Sequence, residues 1–408
     1  MPLTLDEARA LDATDPLRAF RDRFELPEGV IYLDGNSLGA LPKATRARLR
    51  TAVDDEWGQG LIRSWNTHDW IGAPARVGDK IAGLIGAKSG EVIVADSTSV
   101  NLFKLLAAAL RARPGRKVIL SEPGNFPTDL YVAQGVAELL GDVEIRLEPA
   151  ESIADAIDDG VAVVMLTHVH YKSGARHDMA ALTRRAHEAG ALALWDLSHS
   201  AGALEVDLNG VSADLAIGCG YKYLNGGPGA PAFLFVAERH QAALRSPLTG
   251  WMGHAAPFEF GDDYRAVEGI GRFLCGTPSV LAMLALEVGV DLVAEAGMSA
   301  LAAKSRQLCG AFIDAVEEAC DGMGLTLFTS RDAAVRGSQV SFAHPDAYPI
   351  MQALIERGVI GDFRAPDILR FGFTPLYVGF EDAWRAAETL RDVIGSGLWR
   401  AERFRERR

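Results

Sequence analysis

Cysteine is scarce in this chain: four in 408 residues, at positions 219, 275, 309 and 320, with no CxxC pair. That spacing excludes a zinc knuckle and provides no disulfide framework, and scattered cysteines suit a reducing compartment. Long apolar runs are missing too. The run Val161–Leu166 is far too short to cross a bilayer, which takes about 20 apolar residues. Positive charge is in deficit, with 41 Lys and Arg against 54 Asp and Glu, a formal net charge of −13. An acidic surface argues against nucleic acid and against an anionic membrane as partners, so an anionic ligand must be held locally. No GxxxxGK[ST] occurs, and no GxGxxG stands at the strand–helix turn near residue 96, so nucleotide binding has no motif behind it. His168, His199 and His254 form no metal-ligand motif such as HExxH, and no metal is expected. The acidic, amphipathic first twenty residues read as neither a secretory signal nor a transit peptide, so the cytoplasm is the expected location.

What is present is an ordinary α/β composition, 49% apolar with 42 glycines, in a chain long enough for one large domain and a smaller one. From residue 91 short apolar runs alternate with helical patterns. Strands are predicted at 91–95, 117–121, 143–147, 161–166, 191–195, 213–218 and 231–236, with helices between, which means a mostly parallel sheet. Pro231 at the head of the last run predicts an antiparallel or edge position. Before the sheet, helices are expected over 4–24, where Asp15-Pro16 interrupts, and over 43–57. Residues 246–278, rich in glycine, proline and aromatics, break the rhythm, as functional loops do. Long helices then lead to a small α+β region with strands near 325–329, 338–343 and 368–373 and a strand or turn near 359–364.

The stretch 191–230 organises the chain. One apolar run ends in Asp196, with His199 three residues on; a second leads to Cys219-Gly220-Tyr221-Lys222 and a glycine-rich turn. Carboxyl ends of parallel strands are where open α/β sheets place ligands. A lysine and a carboxylate there fit pyridoxal phosphate (PLP) chemistry, in which the lysine carries the aldehyde and the acid holds the ring nitrogen protonated. A structural Asp and an ordinary Lys are the competing reading. Asp96-Ser97-Thr98-Ser99, between a strand and a helix, is either a helix cap or an anion site. Phe126, at another strand end, either covers a planar ring or staples the next helix. Three tryptophans, at 57, 65 and 70, are either packing or an aromatic wall. Arg370 within a strand is either solvent-facing or a carboxylate clamp.

Taken together, IYLDGNSLG (31–39), SVNLFKLL (99–106), EPGNFPTD (122–129), DLSHSAG through GYKYLNGGPG (196–229), GWMGH (250–254), RFLCGTP (272–278) and LRFGFTPLY (369–377) resemble the kynureninase family of fold type I PLP enzymes. The resemblance spans nearly the whole chain in order, and the 196–229 pair of motifs is its most specific part. It implies a large PLP-binding domain over 71–290 with a mostly parallel seven-stranded sheet. A small C-terminal α+β domain would occupy 291–408, and 1–70 would form an N-terminal arm and part of the small domain. It implies PLP-dependent hydrolysis of L-kynurenine to anthranilate and L-alanine. Lys222 would be the Schiff-base lysine and proton shuttle, Asp196 the partner of the pyridine nitrogen with His199 beside it, and Phe126 the stacking ring. Thr98, Ser99, Asp129 and Thr167 would contact the cofactor. Tyr221 would touch the phosphate and assist proton transfer. Trp251 and Thr277 would reach the phosphate from the partner subunit of a homodimer with shared sites. Arg370 would hold the substrate α-carboxylate, with Ser37 also on the substrate and Trp65 lining the aryl pocket, a position at which family members vary. Some relatives carry asparagine where Thr277 stands, which leaves plain against 3-hydroxylated kynurenine open.

Two other readings compete. A cysteine desulfurase or selenocysteine lyase shares the fold but needs an activated cysteine and typically stacks a histidine, where this chain has Phe126. Cys309 and Cys320 fall in a helical stretch, where thiols are usually inert. A non-catalytic scaffold of the same fold is argued against by the intact Lys222, Asp196 and Arg370.

Overall fold

The computed structural model describes residues 3–406. Seven strands form one sheet in the order Val92–Val94, Phe233–Val236, Leu215–Gly218, Leu192–Asp196, Val161–Thr167, Val118–Ser121, Glu144–Leu147. All pairings are parallel except those of Phe233–Val236, which runs antiparallel to both neighbours. Pro231 lies two residues before that strand, so its missing N–H costs no ladder bond. The expected antiparallel direction holds, although the strand is second from the edge.

The inner strand runs are apolar up to their last residues because both faces are covered, whereas the edge strand Glu144–Leu147 alternates charged and apolar residues and is partly exposed. Val94, Leu120, Leu166, Trp195, Ala216 and Phe233 pack into one layer, together with segments from both ends of the chain. Ile93, Ile119, Met165, Leu194, Ile217 and Leu234 pack into the other, with the helix Thr98–Ala112. The alternation puts each layer on its own side of the sheet. Among the described residues no helix is long and apolar enough to cross a membrane.

After the helices Val280–Ala296 and Met298–Ala319, a four-stranded antiparallel sheet orders Thr326–Leu327, Gln339–Ala343, Ile368–Gly372 and Asp362–Arg364. The strand Val359–Ile360 beside it pairs in parallel with Ile31–Tyr32, near the start of the chain. This pairing carries the loop 34–39 across to the large sheet's carboxyl edge.

Two early elements differ from expectation. The first helix ends at Thr14, because Asp15-Pro16 breaks it, and a 3-10 segment Arg18–Arg23 follows. The helix from Lys43 is α only to Thr51 and continues as a π-helix over Ala52–Gly60. That stretch holds the buried Glu56, which pairs with Arg48 at 2.8 Å and accepts from Trp70 Nε1 at 2.8 Å. These are tertiary partners that a local pattern does not reveal.

Candidate active site

Strand register builds the site. Thr167 and Asp196 are direct partners at the carboxyl ends of neighbouring strands, and Asp196 faces Ile217 on the next. Lys222 follows four residues after that strand's last residue, Gly218. The turn carrying it is clamped from outside. A Cβ at Gly39 would stand 2.5 Å from the Lys222 carbonyl oxygen, and one at Gly35 would overlap the Thr374 hydroxyl. Only glycine therefore allows the loop 34–39 to lie between the Lys222 turn and residues 374–377. The Gly39 N–H seals the contact by donating to the Tyr221 carbonyl at 2.8 Å.

Lys222 Nζ lies 3.0 Å from His199 Nε2 and 5.7 Å from the Phe126 ring centroid. It is also 5.9 Å from the Tyr221 ring centroid. Phe126 keeps about a third of its surface exposed and meets Tyr171 edge to face at 5.4 Å. His199 is buried, and burial together with the Lys222 charge holds its imidazole well below the usual histidine range. Asp196 Oδ1 accepts from the Ser198 N–H at 2.7 Å and the Ser198 hydroxyl at 2.6 Å. Asp129 faces it, pushed well above the usual carboxyl range by burial and by the Asp196 charge. Thr167 Oγ1 lies 3.5 Å from Asp129 and hydrogen-bonds Asn125. Burial also raises Asp196, opposed by its Ser198 hydrogen bonds and the Lys222 charge, so the two carboxyls resist being charged together.

A second cluster lies where the loop 34–39 meets the C-terminal sheet. Arg370 is buried, and four of its five N–H bonds are used. Asp362 accepts from Nε at 2.7 Å and from a terminal nitrogen, Ser37 Oγ accepts at 2.8 Å, and the Tyr171 carbonyl accepts at 2.7 Å. Arg364 shares Asp362 at 2.6 Å, and its own Nε is buried with no partner. Asp34 stands near both arginines, its pKa raised from 3.8 to about 7 by burial and by the Asp362 charge. A carboxyl whose pKa is higher folded than unfolded favours the folded state at low pH. That contribution is lost as pH rises through the interval between 3.8 and about 7. Replacing Asp34 by Asn, which cannot ionise, should therefore raise the melting temperature relative to wild type increasingly between pH 5 and pH 8. A pH-independent difference in thermal melts would contradict the assignment.

Other expected residues are placed as follows. Thr98 and Ser99 open the helix Thr98–Ala112, half-buried, but the cap is Ser97, whose hydroxyl accepts from the Val100 N–H at 3.3 Å. Asp96 just before it has φ +46° and pairs with the fully buried Lys104, which also donates to the Phe273 carbonyl at 2.6 Å. Thr277 is exposed and borders, with Asp96 and Gly229, a cavity of about 120 Å³ beside that turn. Trp251, 39% exposed, packs on Phe258, and Trp65 packs edge to face on Trp70 at 6.0 Å. Within one chain, Trp65, Trp251 and Thr277 stand outside the hydrogen-bonded clusters around Lys222 and Arg370. Sequence reading missed Asp362, Arg364, Gln339 and Asn125. Each is an ordinary polar residue in its own segment; only the proximity of Asp362 and Arg364 to Arg370 hinted at a charged group.

The thiols do not form a nucleophile pattern. Cys309 and Cys320 are buried and pushed up to about 12, and burial also raises Cys219. Cysteines in that state are inert.

This architecture, with the lysine and carboxylate at its sheet edge, is fold type I of the PLP-dependent enzymes. The fold matches an apo cysteine desulfurase from Thermococcus onnurineus NA1, with TM-score 0.77 and 21% identity, covering 93% of this chain and 98% of that one. It also matches a C-DES variant with glycine covalently linked to its PLP cofactor, with TM-score 0.78 and 16% identity, covering 91% and 98%. Sequence narrows the class. A kynureninase from Burkholderia pseudomallei (strain 1106a) is 56% identical over 411 residues, 99% of both chains, and residues 301–390 match the kynureninase C-terminal domain model. The chain belongs to the kynureninase family.

Proposed function

We propose that this chain uses PLP to hydrolyse L-kynurenine at its Cβ–Cγ bond, giving anthranilate and L-alanine. The observation that carries this reading is Lys222 on neutral His199, close to Asp196 and Phe126, in a chain of this family. The residues fit the cofactor. Asp196, whose charged form is favoured by the Ser198 hydrogen bonds and the Lys222 charge, suits a protonated ring nitrogen, and Phe126 has an exposed aromatic surface for a planar ring. The first turn of Thr98–Ala112 offers N–H groups and hydroxyls to a phosphate.

When bound, PLP supplies an electron sink for charge developing on the substrate carbons. Lys222 would hold the cofactor, then take and return the substrate's Cα proton, with Tyr221 assisting. Thr167 and Asp129 would support Asp196. Thr98, Ser99 and Tyr221 would hold the phosphate. Arg370 keeps one N–H without a partner and Arg364 Nε has none, so the substrate α-carboxylate would take these, beside Ser37, whose hydroxyl accepts from Arg370 and donates to Asp362 at 2.9 Å. Water adds at the γ-carbonyl, and its atoms are divided between the two products.

Trp65 would border the aryl group. Trp251 and Thr277, exposed in one chain, would complete the phosphate site of a second copy, making the working unit a homodimer. A division into 1–70, 71–290 and 291–408 would put one sheet in each of the two larger parts, and the pairing of Ile31–Tyr32 with Val359–Ile360 supports joining the first part to the last. Four free cysteines, three of them buried, support a cytoplasmic location. The deciding experiment is incubation of the purified chain with PLP and L-kynurenine, or its 3-hydroxy derivative. Anthranilate, or its hydroxylated counterpart, and alanine should appear in equal amounts. Sulfur or selenium release from cysteine or selenocysteine, with kynurenine untouched, would favour the desulfurase reading.

A further inference from the structure

Gln339 belongs to the C-terminal sheet and is fully buried, yet it touches the lysine's partner. Its amide nitrogen donates to the Tyr171 carbonyl at 2.9 Å and lies 3.4 Å from the His170 carbonyl. Carbonyls only accept, so the amide has one orientation, and its oxygen is the atom facing His199 Nδ1 at 3.0 Å. An acceptor there requires the proton of His199 on Nδ1. His199 Nε2 then carries the lone pair and accepts from Lys222 Nζ at 3.0 Å. The Tyr171 carbonyl that takes the Gln339 amide also takes Arg370 at 2.7 Å. One hydrogen-bonded chain therefore runs from Lys222 through His199, Gln339 and Tyr171 to Arg370.

We infer that Gln339 is a positioning residue that sets the tautomer of His199 and ties the Lys222 amine to the arginine that would clamp the substrate. Sheet register supports the role. Gln339 is the strand partner of Gly372, two residues after Arg370, so both side chains are fixed by the same antiparallel ladder. The charges facing His199 are those of Lys222, Arg370 and Arg364, all positive, and with burial they keep the ring neutral. A neutral ring has a single N–H to place, and its neighbour decides where. The functional half of the inference rests on the proposed PLP chemistry; the tautomer half does not.

The test is the imidazole nitrogen spectrum of the full chain labelled with ¹⁵N-histidine, with the His199 signals identified by their loss in His199→Asn. Wild type should show Nδ1 protonated and Nε2 bare, with and without PLP. Gln339→Leu should move the proton to Nε2 in part or whole, lower kcat about 10- to 100-fold and displace the pH profile of kcat/KM. Gln339→Glu keeps an acceptor for Nδ1 but loses the donor to Tyr171. It should retain the wild-type tautomer and express its defect mainly in KM. A protonated Nε2 in wild type, or a Gln339→Leu protein with unchanged tautomer and kcat, overturns the inference. The wild-type spectrum decides the tautomer even if Gln339→Leu does not fold. Wild-type protein with the expected spectrum but no action on kynurenine would overturn the proposed activity and the functional half, leaving the tautomer assignment standing.

Discussion

Lys222→Ala should abolish kynurenine cleavage, by about 10⁴-fold or more, while the protein stays folded. Removing the group that attacks covalently costs losses of this order, because nothing else in the site replaces its bond. His199, 3.0 Å away, cannot take over, since it is buried, neutral and held at its other nitrogen by Gln339. The same variant should lose the visible absorbance that PLP acquires on attachment to a protein amine, a readout independent of turnover. Lys222 lies in a turn outside every helix and strand, so far-ultraviolet circular dichroism and melting should change little. Near-normal activity in Lys222→Ala would remove the central assignment.

Arg370→Ala should act differently. We expect KM for kynurenine to rise roughly 100-fold, with a smaller fall in kcat, because the arginine both binds and orients the substrate. Losing one partner of a buried, hydrogen-bonded charge pair costs about 2–5 kcal/mol. Part of that loss falls on the fold itself, since Asp362 is left with Arg364 and the Ser37 hydroxyl, and both Ser37 and the Tyr171 carbonyl lose a donor. Arg370→Lys should restore some stability but little affinity, as an ammonium cannot span Asp362, Ser37 and Tyr171 together. Steady-state kinetics alongside thermal melts separates the two effects. An unchanged kcat/KM in a folded Arg370→Ala protein would take Arg370 out of the substrate site.

The large sheet was legible because its signals are local. Runs such as Val161–Thr167 and Leu192–Asp196 are apolar up to their last residue, short, and bounded by helical patterns, and each appeared within a residue or two of the expected limits. Lys222 and Asp196 were legible for the same reason, as polar residues placed at the ends of such runs. The π-helix over Ala52–Gly60 was not, since the Glu56 contacts with Arg48 and Trp70 that accompany it bridge eight and fourteen residues. Asp362, sharing itself between two arginines, was also hidden: an aspartate in a short strand has no local signature of the charges it will meet.

Residue order alone therefore determined the architecture, the family motifs and the chemical type of each principal side chain, because strand runs, turn glycines and a lone lysine express themselves within a few residues. Tertiary structure decided which of these groups touch. It put Gln339 on His199, Asp362 across the fork of Arg370, and Asp129 against Asp196 so that burial raises both carboxyls. Those outcomes depend on burial and, for His199 and Gln339, on partners 140 residues apart, a distance that no local pattern in the chain encodes.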